Sequence, residues 1–188
     1  MAILKIAKMG HPILCKKAKK IEDPTSKDVK ILVKDMLETL DDLGGGGVGL
    51  AAPQVHVSLQ LIIFEVPTGR SETEENIPLT ILINPKIQML TKKTETDWEG
   101  CLSVPGLRGK VERPKKIKYS GFDLNGNKIE TIAEGFYARV VQHEYDHLEG
   151  VLFTDLLKPI KKRFVKKKLD RIRKGNIESP YRMVFGKK

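Results

Sequence analysis

His143 and His147 lie four positions apart, with Glu144 directly after the first histidine, in a stretch that reads Gln-His-Glu-Tyr-Asp-His-Leu. In an α-helix this spacing places both imidazoles on one face, where they can hold a divalent metal ion. Glu144 lies beside them and can act as a general base toward a water on that metal. These residues predict a metal-dependent hydrolytic site.

A third protein ligand is expected, because a catalytic metal usually has three and keeps one position open for water. Cys101 lies in a stretch, 98–106, that we predict to be a loop ending in Pro-Gly. Taken alone, this cysteine also fits a small buried hydrophobic residue. The two histidines that lack a third ligand favour the thiolate interpretation. His11 and His56 have no companions at ligand spacing and are interpreted as turn or strand residues.

The run 44–54 is rich in glycine and other small residues and ends in Gln54. Such a backbone adopts unusual dihedral angles and lets a ligand approach closely. A phosphate-binding loop is disfavoured, because no Lys-Ser/Thr pair follows and Pro53 would interrupt the helix that such loops precede. We interpret the run as a peptide-binding edge.

Helices and short strands must position these residues. Apolar residues at helical spacing predict an amphipathic helix over about 26–43, and Asn125-Gly126 predicts a hairpin turn. The predicted strands are 59–66, 79–83, a further short strand at Ile87 and Met89, 115–122 and 128–132. The polar stretch 67–78 is predicted to be a surface loop, which raises the question of whether 68–76 gates the site.

Composition limits the class of protein. A chain of 188 residues that is 40% hydrophobic fits one domain with its own core. Two cysteines are too few for a disulfide framework. The N-terminus carries lysines every few positions, and no segment approaches the roughly 20 apolar residues of a membrane span. We therefore expect a cytoplasmic protein with no membrane partner.

The formal net charge is +10, and most of the excess lies in one C-terminal segment. A basic helix is predicted over about 159–174. The cations of this segment are Lys158, Lys161, Lys162, Arg163, Lys166, Lys167, Lys168, Arg171, Arg173 and Lys174, against Asp170 as the single anion. A solvated helix and an RNA-binding helix are both consistent with this pattern.

Three motifs in order resemble the signature of the peptide deformylase family. They are Gly47-Val48-Gly49-Leu50-Ala51-Ala52-Pro53-Gln54, Glu99-Gly100-Cys101-Leu102-Ser103 and Gln142-His143-Glu144-Tyr145-Asp146-His147-Leu148. The resemblance covers about residues 1–157, a catalytic domain, and leaves 158–188 as a basic C-terminal helix and tail. It implies an α+β fold in which antiparallel or mixed β-sheets pack around a central metal-binding helix.

The resemblance also implies an activity, the removal of formate from the N-formyl-methionine that begins new bacterial and organellar chains. It implies a metal held by Cys101, His143 and His147, with Glu144 as general base and acid. Fe(II) is the implied physiological ion, and Zn(II), Ni(II) or Co(II) can occupy the site in purified protein. Iron with a thiolate ligand predicts loss of activity in air.

Further residues take binding roles by the same resemblance. Gln54 and the backbone N–H of Leu102 are implied to polarise the formyl oxygen. Gly47 and Gly49 should let the substrate backbone lie as an added strand. Val48, Val140 and Leu102 are then candidate walls of an apolar pocket for methionine.

Several roles remain open at this level. Asp146 needs a partner if it is buried, for which Arg113 and Arg139 are candidates. Arg108 fits either a substrate contact or a solvated surface position. A ribosome contact through the basic helix follows from a substrate that emerges from ribosomes, and no dedicated DNA binding is expected.

Two other classes of protein share part of the pattern. A zinc peptidase shares the two histidines and Glu144, but usually takes its third ligand downstream, where Glu149 is too close. An RNA-binding protein with a structural metal explains the basic segment, but neither Glu144 nor Gln54.

Overall fold

The residues that the structure describes form three α-helices and seven β-strands. The structure is a computed structural model that describes residues 2–43, 47–66, 68 and 77–176. The helices are α1 (Lys27–Asp42), α2 (Gly135–Leu148) and α3 (Pro159–Arg173). The strands are β1 (Gly49–Ala51), β2 (Leu61–Val66), β3 (Ile77–Met89), β4 (Thr94–Cys101), β5 (Val104–Pro114), β6 (Lys116–Phe122) and β7 (Lys128–Glu134).

The strands form two antiparallel sheets, which confirms the predicted α+β class. A five-stranded sheet has the order β1-β2-β3-β6-β7, and β4 pairs with β5 in a separate hairpin. The short strand β1 therefore lies at an edge of the larger sheet, followed directly by the 3₁₀ turn that carries Gln54. Among the helices of the described residues, none is both long and apolar enough to cross a membrane.

Helices cover both faces of the larger sheet near β2. Ile62 and Phe64 of β2 pack with α2, whereas Leu61 and Ile63 pack with α1. The strand is therefore buried on both faces, which is why its sequence is almost continuously apolar rather than alternating. Ser26 begins α1, its hydroxyl accepting a hydrogen bond from the backbone N–H of Val29 at 3.4 Å.

Two predictions about strands were wrong. The strand predicted at Ile87 and Met89 is the second half of β3, which continues through a bulge at Asn84. Asn84 adopts φ 50° there, and its side chain bonds both backbone groups of Ile21, at 2.8 and 2.9 Å. This local pairing stabilises the left-handed residue, so the bulge bends the strand without ending it.

The predicted loop 98–106 is instead part of the β4–β5 hairpin. Cys101 pairs with Val104, so only Leu102 and Ser103 form the turn. Neither turn residue is a glycine or asparagine, so the usual sequence sign of a two-residue hairpin is missing. Most of the predicted loop 67–78 lies outside the described residues, and so does nearly all of 68–76, the stretch that we considered as a gate of the site. The end of the predicted loop, from Ile77, belongs to β3.

The helix α3 packs on the hairpin side of the molecule. Its buried residues Leu169 and Ile172 join a hydrophobic cluster that also contains Cys101 and Phe153. On its other side, Ile160 is 66% exposed and Phe164 is 84% exposed. The basic segment thus has one anchored face and one face open to solvent.

Candidate metal centre and active-site cleft

The central helix α2 brings the two predicted histidines to the sulfur of the hairpin. Cys101 Sγ lies 3.3 Å from His147 Nε2, and one ligand atom from each of Cys101, His143 and His147 lies within 4.8 Å of the others. All three side chains are buried. Two nitrogen donors and one sulfur donor in this arrangement form a site of the kind that holds a divalent transition metal.

The electrostatics of the cluster favour the thiolate form of Cys101. Burial opposes ionisation of Cys101, but the neighbouring His147 and His143 outweigh it and hold the pKa of the thiol well below its usual value. A thiolate is the form of cysteine that binds metals. The residues present therefore fit a divalent ion.

Glu99 orients the imidazole of His143 by contacting its Nδ1 atom. Its Oε2 lies 2.9 Å from His143 Nδ1. Burial would raise the pKa of Glu99, but its bonds to Arg113 and His143 hold that pKa far below the usual range, so the carboxylate is ionised. An ionised carboxylate only accepts, so Nδ1–H must donate, which leaves Nε2 as the nitrogen that can bind a metal ion.

Two arginines hold Glu99 in turn. Arg113 makes a two-bond fork with both carboxylate oxygens, at 2.7 and 2.9 Å, and its Nη1 bonds Asp146 at 2.7 Å. Arg139 Nη1 bonds Glu99 Oε1 at 2.8 Å. Of the two candidate partners of Asp146, Arg113 makes the bond, whereas Arg139 bonds Glu99 instead. Sequence analysis gave Glu99 no role, although it lies two residues before the candidate thiolate.

Glu144 lies beside the cluster with one free oxygen. Burial raises the pKa of its carboxyl to about 7, although the neighbouring His143 and His147 lower that pKa in part. Its Oε2 is buried and makes no hydrogen bond within the described part of the chain. A carboxyl with this pKa can take up and return a proton near neutral pH.

Gly49 makes room for this carboxyl. A Cβ added at Gly49 would lie 2.5 Å from Glu144 Oε1, closer than real contacts allow. The close approach of β1 to α2 therefore requires glycine at this position.

Gln54 enters the site from the turn after β1. Its Oε1 accepts a hydrogen bond from the backbone N–H of Ala51 at 2.8 Å, which fixes the orientation of the amide. Its Nε2 then faces Cys101 Sγ at 3.5 Å and Ser103 Oγ at 3.3 Å. The donor end of the side chain thus points toward the thiolate.

The cluster opens into a cleft of about 580 Å³ between β1, β4 and α2. The predicted residues Gly47, Val48, Gly49, Gln54, Cys101, Leu102, Val140, His143 and Glu144 all line it. Sequence analysis missed the lining residues Asp97, Trp98 and Phe136, and it left Arg108, which also lines the cleft, undecided. His147 lies 1% exposed beneath the lining. His11 and His56 pack edge to face, with ring centroids 4.6 Å apart, and neither lines the cleft.

An α+β fold in which two imidazoles, a thiolate and a carboxyl meet at the floor of a cleft defines a metal-dependent hydrolase. The sequence model described as polypeptide deformylase matches residues 3–163. The chain therefore belongs to the polypeptide deformylase family, hydrolases that remove the formyl group from newly made proteins, which confirms the predicted family.

Individual relatives agree with this assignment. The chain is 50% identical over 154 residues to peptide deformylase 2 of Pseudomonas syringae pv. tomato, covering 80% of this chain and 85% of the relative. It is 44% identical over 158 residues to peptide deformylase 1 of Nitrosomonas europaea, covering 84% of this chain and 89% of the relative.

Solved structures show the same fold. Peptide deformylase from Ehrlichia chaffeensis in complex with actinonin superposes with a TM-score of 0.83 at 32% identity, covering 95% of this chain and all (100%) of that chain. A class I type b peptide deformylase from Acinetobacter baumannii, bound to Met-Ala-Ser, gives a TM-score of 0.76 at 37% identity, covering 83% and 99%.

Proposed function

We propose that the cleft binds the formylated N-terminus of a new protein and that Cys101, His143 and His147 hold the divalent ion used in its hydrolysis. The single observation that carries this proposal is the convergence of these three buried donors beside Glu144. A bound ion supplies Lewis-acid chemistry, polarising the formyl carbonyl and lowering the pKa of water. We propose Fe(II) as the physiological ion, because the resemblance to the family implies it; the thiolate and imidazole set itself suits iron and zinc alike.

Glu144 is the proposed general base and acid. Its free oxygen accepts the proton of the attacking water and returns it to the leaving amine of methionine. Formate is then released as the C–N bond of the formamide breaks. The pKa of about 7 allows both transfers, because neither the protonated nor the ionised form is strongly favoured near neutral pH.

Gln54 and the backbone N–H of Leu102 are the proposed donors to the developing oxyanion. The bond from Ala51 to Gln54 Oε1 supports this role, because it leaves only the Nε2 donors to face the cleft. Leu102 forms the hairpin turn next to Cys101. A donor of this kind typically contributes about 3 kcal/mol to the transition state.

The proposed substrate position follows the edge of β1 that pairs with no other strand of the described residues. Edge strands offer unpaired backbone groups, so an extended peptide can add as a further strand along Gly47–Gly49. Val48 and Val140 line the cleft there with Phe136, and form an apolar pocket for the methionine side chain. A relative from Acinetobacter baumannii was solved with Met-Ala-Ser bound, which agrees with this substrate class.

The activity is tested by formate release from formyl-Met-Ala-Ser with anaerobically purified, Fe(II)-loaded protein. We expect Glu144→Ala to lower kcat by about 10²–10⁴ while metal content is unchanged. Glu149→Ala is the matched control, because Glu149 follows the end of α2 and pairs with Lys17 at the surface. If wild type with bound metal releases no formate, the proposed activity is wrong.

We further propose that residues 1–157 carry out the chemistry and that 158–188 contact the ribosome through α3. The exposed side of α3 combines cations with Phe164, and such surfaces are attracted to RNA phosphates in a salt-dependent way. Deleting α3 would expose the cluster around Cys101, so a charge reversal is the cleaner test.

The variant K161E/R163E/K166E changes three exposed side chains of α3. We expect it to lose co-sedimentation with ribosomes at low salt and to keep formate release from the free peptide. The matched control is K27E/K30E/K34E, three exposed lysines of α1. Equal loss in both variants would mean that net charge, rather than α3, determines binding.

A further inference from the structure

Trp98, the only tryptophan in the sequence, lies at the mouth of the active-site cleft. Trp98 is 50% exposed, whereas the aromatic ring of Phe136 in the same cleft wall belongs to a partly buried residue. A large aromatic ring left half in water at the rim of a binding cleft gains apolar contact when a ligand covers it. The proposed catalytic steps make no use of this ring.

The distance along β4 relates Trp98 to one position of the substrate. Trp98 is three residues before Cys101 on this strand, and a strand rises about 3.3 Å per residue. The backbone of Trp98 therefore lies about 10 Å from that of Cys101 along the strand. An extended peptide has the same rise, so a substrate whose formyl group lies at the thiolate brings its third residue level with Trp98.

The ring is held in place from one side. Lys110 lies directly opposite Trp98 in the β4–β5 register, and its Nζ is 5.6 Å from the ring centroid. The backbone N–H of Trp98 also donates to Asp97 Oδ1 at 2.7 Å. A ring that already has a neighbouring side chain against it loses less rotational freedom when a ligand packs on it.

The strand between the ring and the thiolate includes an exposed glycine, Gly100. Gly100 has no side chain, and a Cβ built there would have Arg108 Cγ at 3.5 Å as its nearest neighbour. The substrate backbone can therefore pass close to β4 before its third side chain reaches Trp98.

We propose that Trp98 is a specificity-determining residue that packs against the side chain of the third substrate residue and favours an aromatic one. This rests on the proposed deformylase function and adds a substrate preference to it. An aromatic pair of this kind corresponds to a preference of about five-fold in kcat/KM, which is about 1 kcal/mol.

The test compares kcat/KM for formyl-Met-Ala-Phe and formyl-Met-Ala-Ser. Wild type is expected to prefer the phenylalanine peptide about five-fold, Trp98→Phe to keep most of this preference, and Trp98→Ala to lose it. Phe164→Ala, which removes an exposed aromatic ring from α3, is the matched control and should keep the wild-type ratio. An equal ratio in wild type and Trp98→Ala would overturn the proposal.

The fluorescence of the single tryptophan gives a second readout that does not depend on turnover. In zinc-loaded Glu144→Ala, formyl-Met-Ala-Phe is expected to change the Trp98 emission, whereas the shorter formyl-Met-Ala is not. The same change with both peptides would place the contact before the third residue and overturn the proposal. Failure of wild type to hydrolyse any formylated peptide would instead overturn the proposed function, so the two failures are distinguishable.

Discussion

Two faces of the helix α2 are both buried, yet they are built from different chemistry. The face toward the five-stranded sheet carries Ala138, Val141 and Leu148, which pack in one hydrophobic cluster. The face toward the β4–β5 hairpin carries Arg139, Gln142, His143 and Asp146, all of which bond residues of the hairpin. Both sets follow helical spacing, so one helix presents an apolar stripe and a polar stripe to two different partners.

The two faces have different roles: the apolar face mainly stabilises the fold, and the polar face mainly positions the metal ligands. Apolar contact is favourable over a range of packings, because it depends mainly on the area removed from water. The bonds among Glu99, Arg113 and Arg139 exist only in one arrangement of helix and hairpin. Cys101 comes from the hairpin and the histidines from the helix, so the polar face sets the position of the third ligand. Buried ion pairs add little stability over a well-packed apolar face, which makes positioning their main contribution here.

The largest expected effect on stability and metal affinity follows from replacing Glu99, the carboxylate at the centre of the polar contacts. Glu99→Ala leaves Arg113 and Arg139 buried without this carboxylate, and we expect a loss of about 4 kcal/mol in the free energy of unfolding. Because His143 also loses its partner, metal affinity should fall by about 10–100-fold. Urea unfolding and metal retention against a competing chelator measure the two effects.

Glu112→Ala is the control for this variant, because Glu112 lies on the same hairpin with its side chain 48% exposed. Its effect should stay within about 0.5 kcal/mol. If Glu99→Ala retains metal as wild type does, then Glu99 stabilises the hairpin without positioning His143.

A smaller effect of a different kind is expected on the apolar face. Ile62 of β2 is fully buried (0% exposed) and lies in the hydrophobic cluster that contains Ala138 and Val141 of α2. Ile62→Ala should lower the free energy of unfolding by about 3 kcal/mol, from lost burial and the cavity left behind. The metal affinity of the folded protein should be unchanged. Weaker metal binding at temperatures where the variant is folded would show that the two faces are not independent.

The residues within α2 could be predicted from the sequence, whereas the partner that the hairpin supplies to its polar face could not. The histidines and Glu144 were predicted because their spacing within one helix determines their geometry. The apolar stripe of α2 follows from the same periodicity. Glu99 gained its role only through the pairing of β4 with β5 and the docking of that hairpin on α2. Contacts between elements distant in sequence have no local signal, so such a role cannot be read from neighbouring residues.

The hairpin itself was missed for a related reason. The turn at Leu102-Ser103 lacks the residues that usually mark a two-residue connection, and Pro105 and Gly106 indicate a loop. Tertiary packing overrides these local preferences, because Val104, Leu107 and Val111 are buried in the cluster shared with α3. The strand β3 shows the same override at Asn84, where two side-chain bonds to Ile21 hold the bulge.

The smallest expected effect lies where the apolar face includes one polar contact. Tyr137 of α2 forms a hydrogen bond with Tyr119 of β6, hydroxyl to hydroxyl. Tyr137→Phe removes this bond, and we expect a loss of about 1 kcal/mol in the free energy of unfolding at neutral pH. No change in metal affinity is expected, because neither tyrosine contacts the ligands or Glu99.

The pH dependence of this small effect has a definite sign. Burial, followed by the bond to Tyr119, raises the pKa of Tyr137 well above its ordinary value of 10.0. The stability that the neutral hydroxyl contributes is therefore fully present below pH 10 and is lost as the pH rises above it, since the unfolded chain ionises first. Urea unfolding of wild type and Tyr137→Phe between pH 7 and 11 should show a difference that is constant at first and then shrinks. A difference that persists unchanged to pH 11 would mean that Tyr137 ionises as readily in the folded protein as in the unfolded chain.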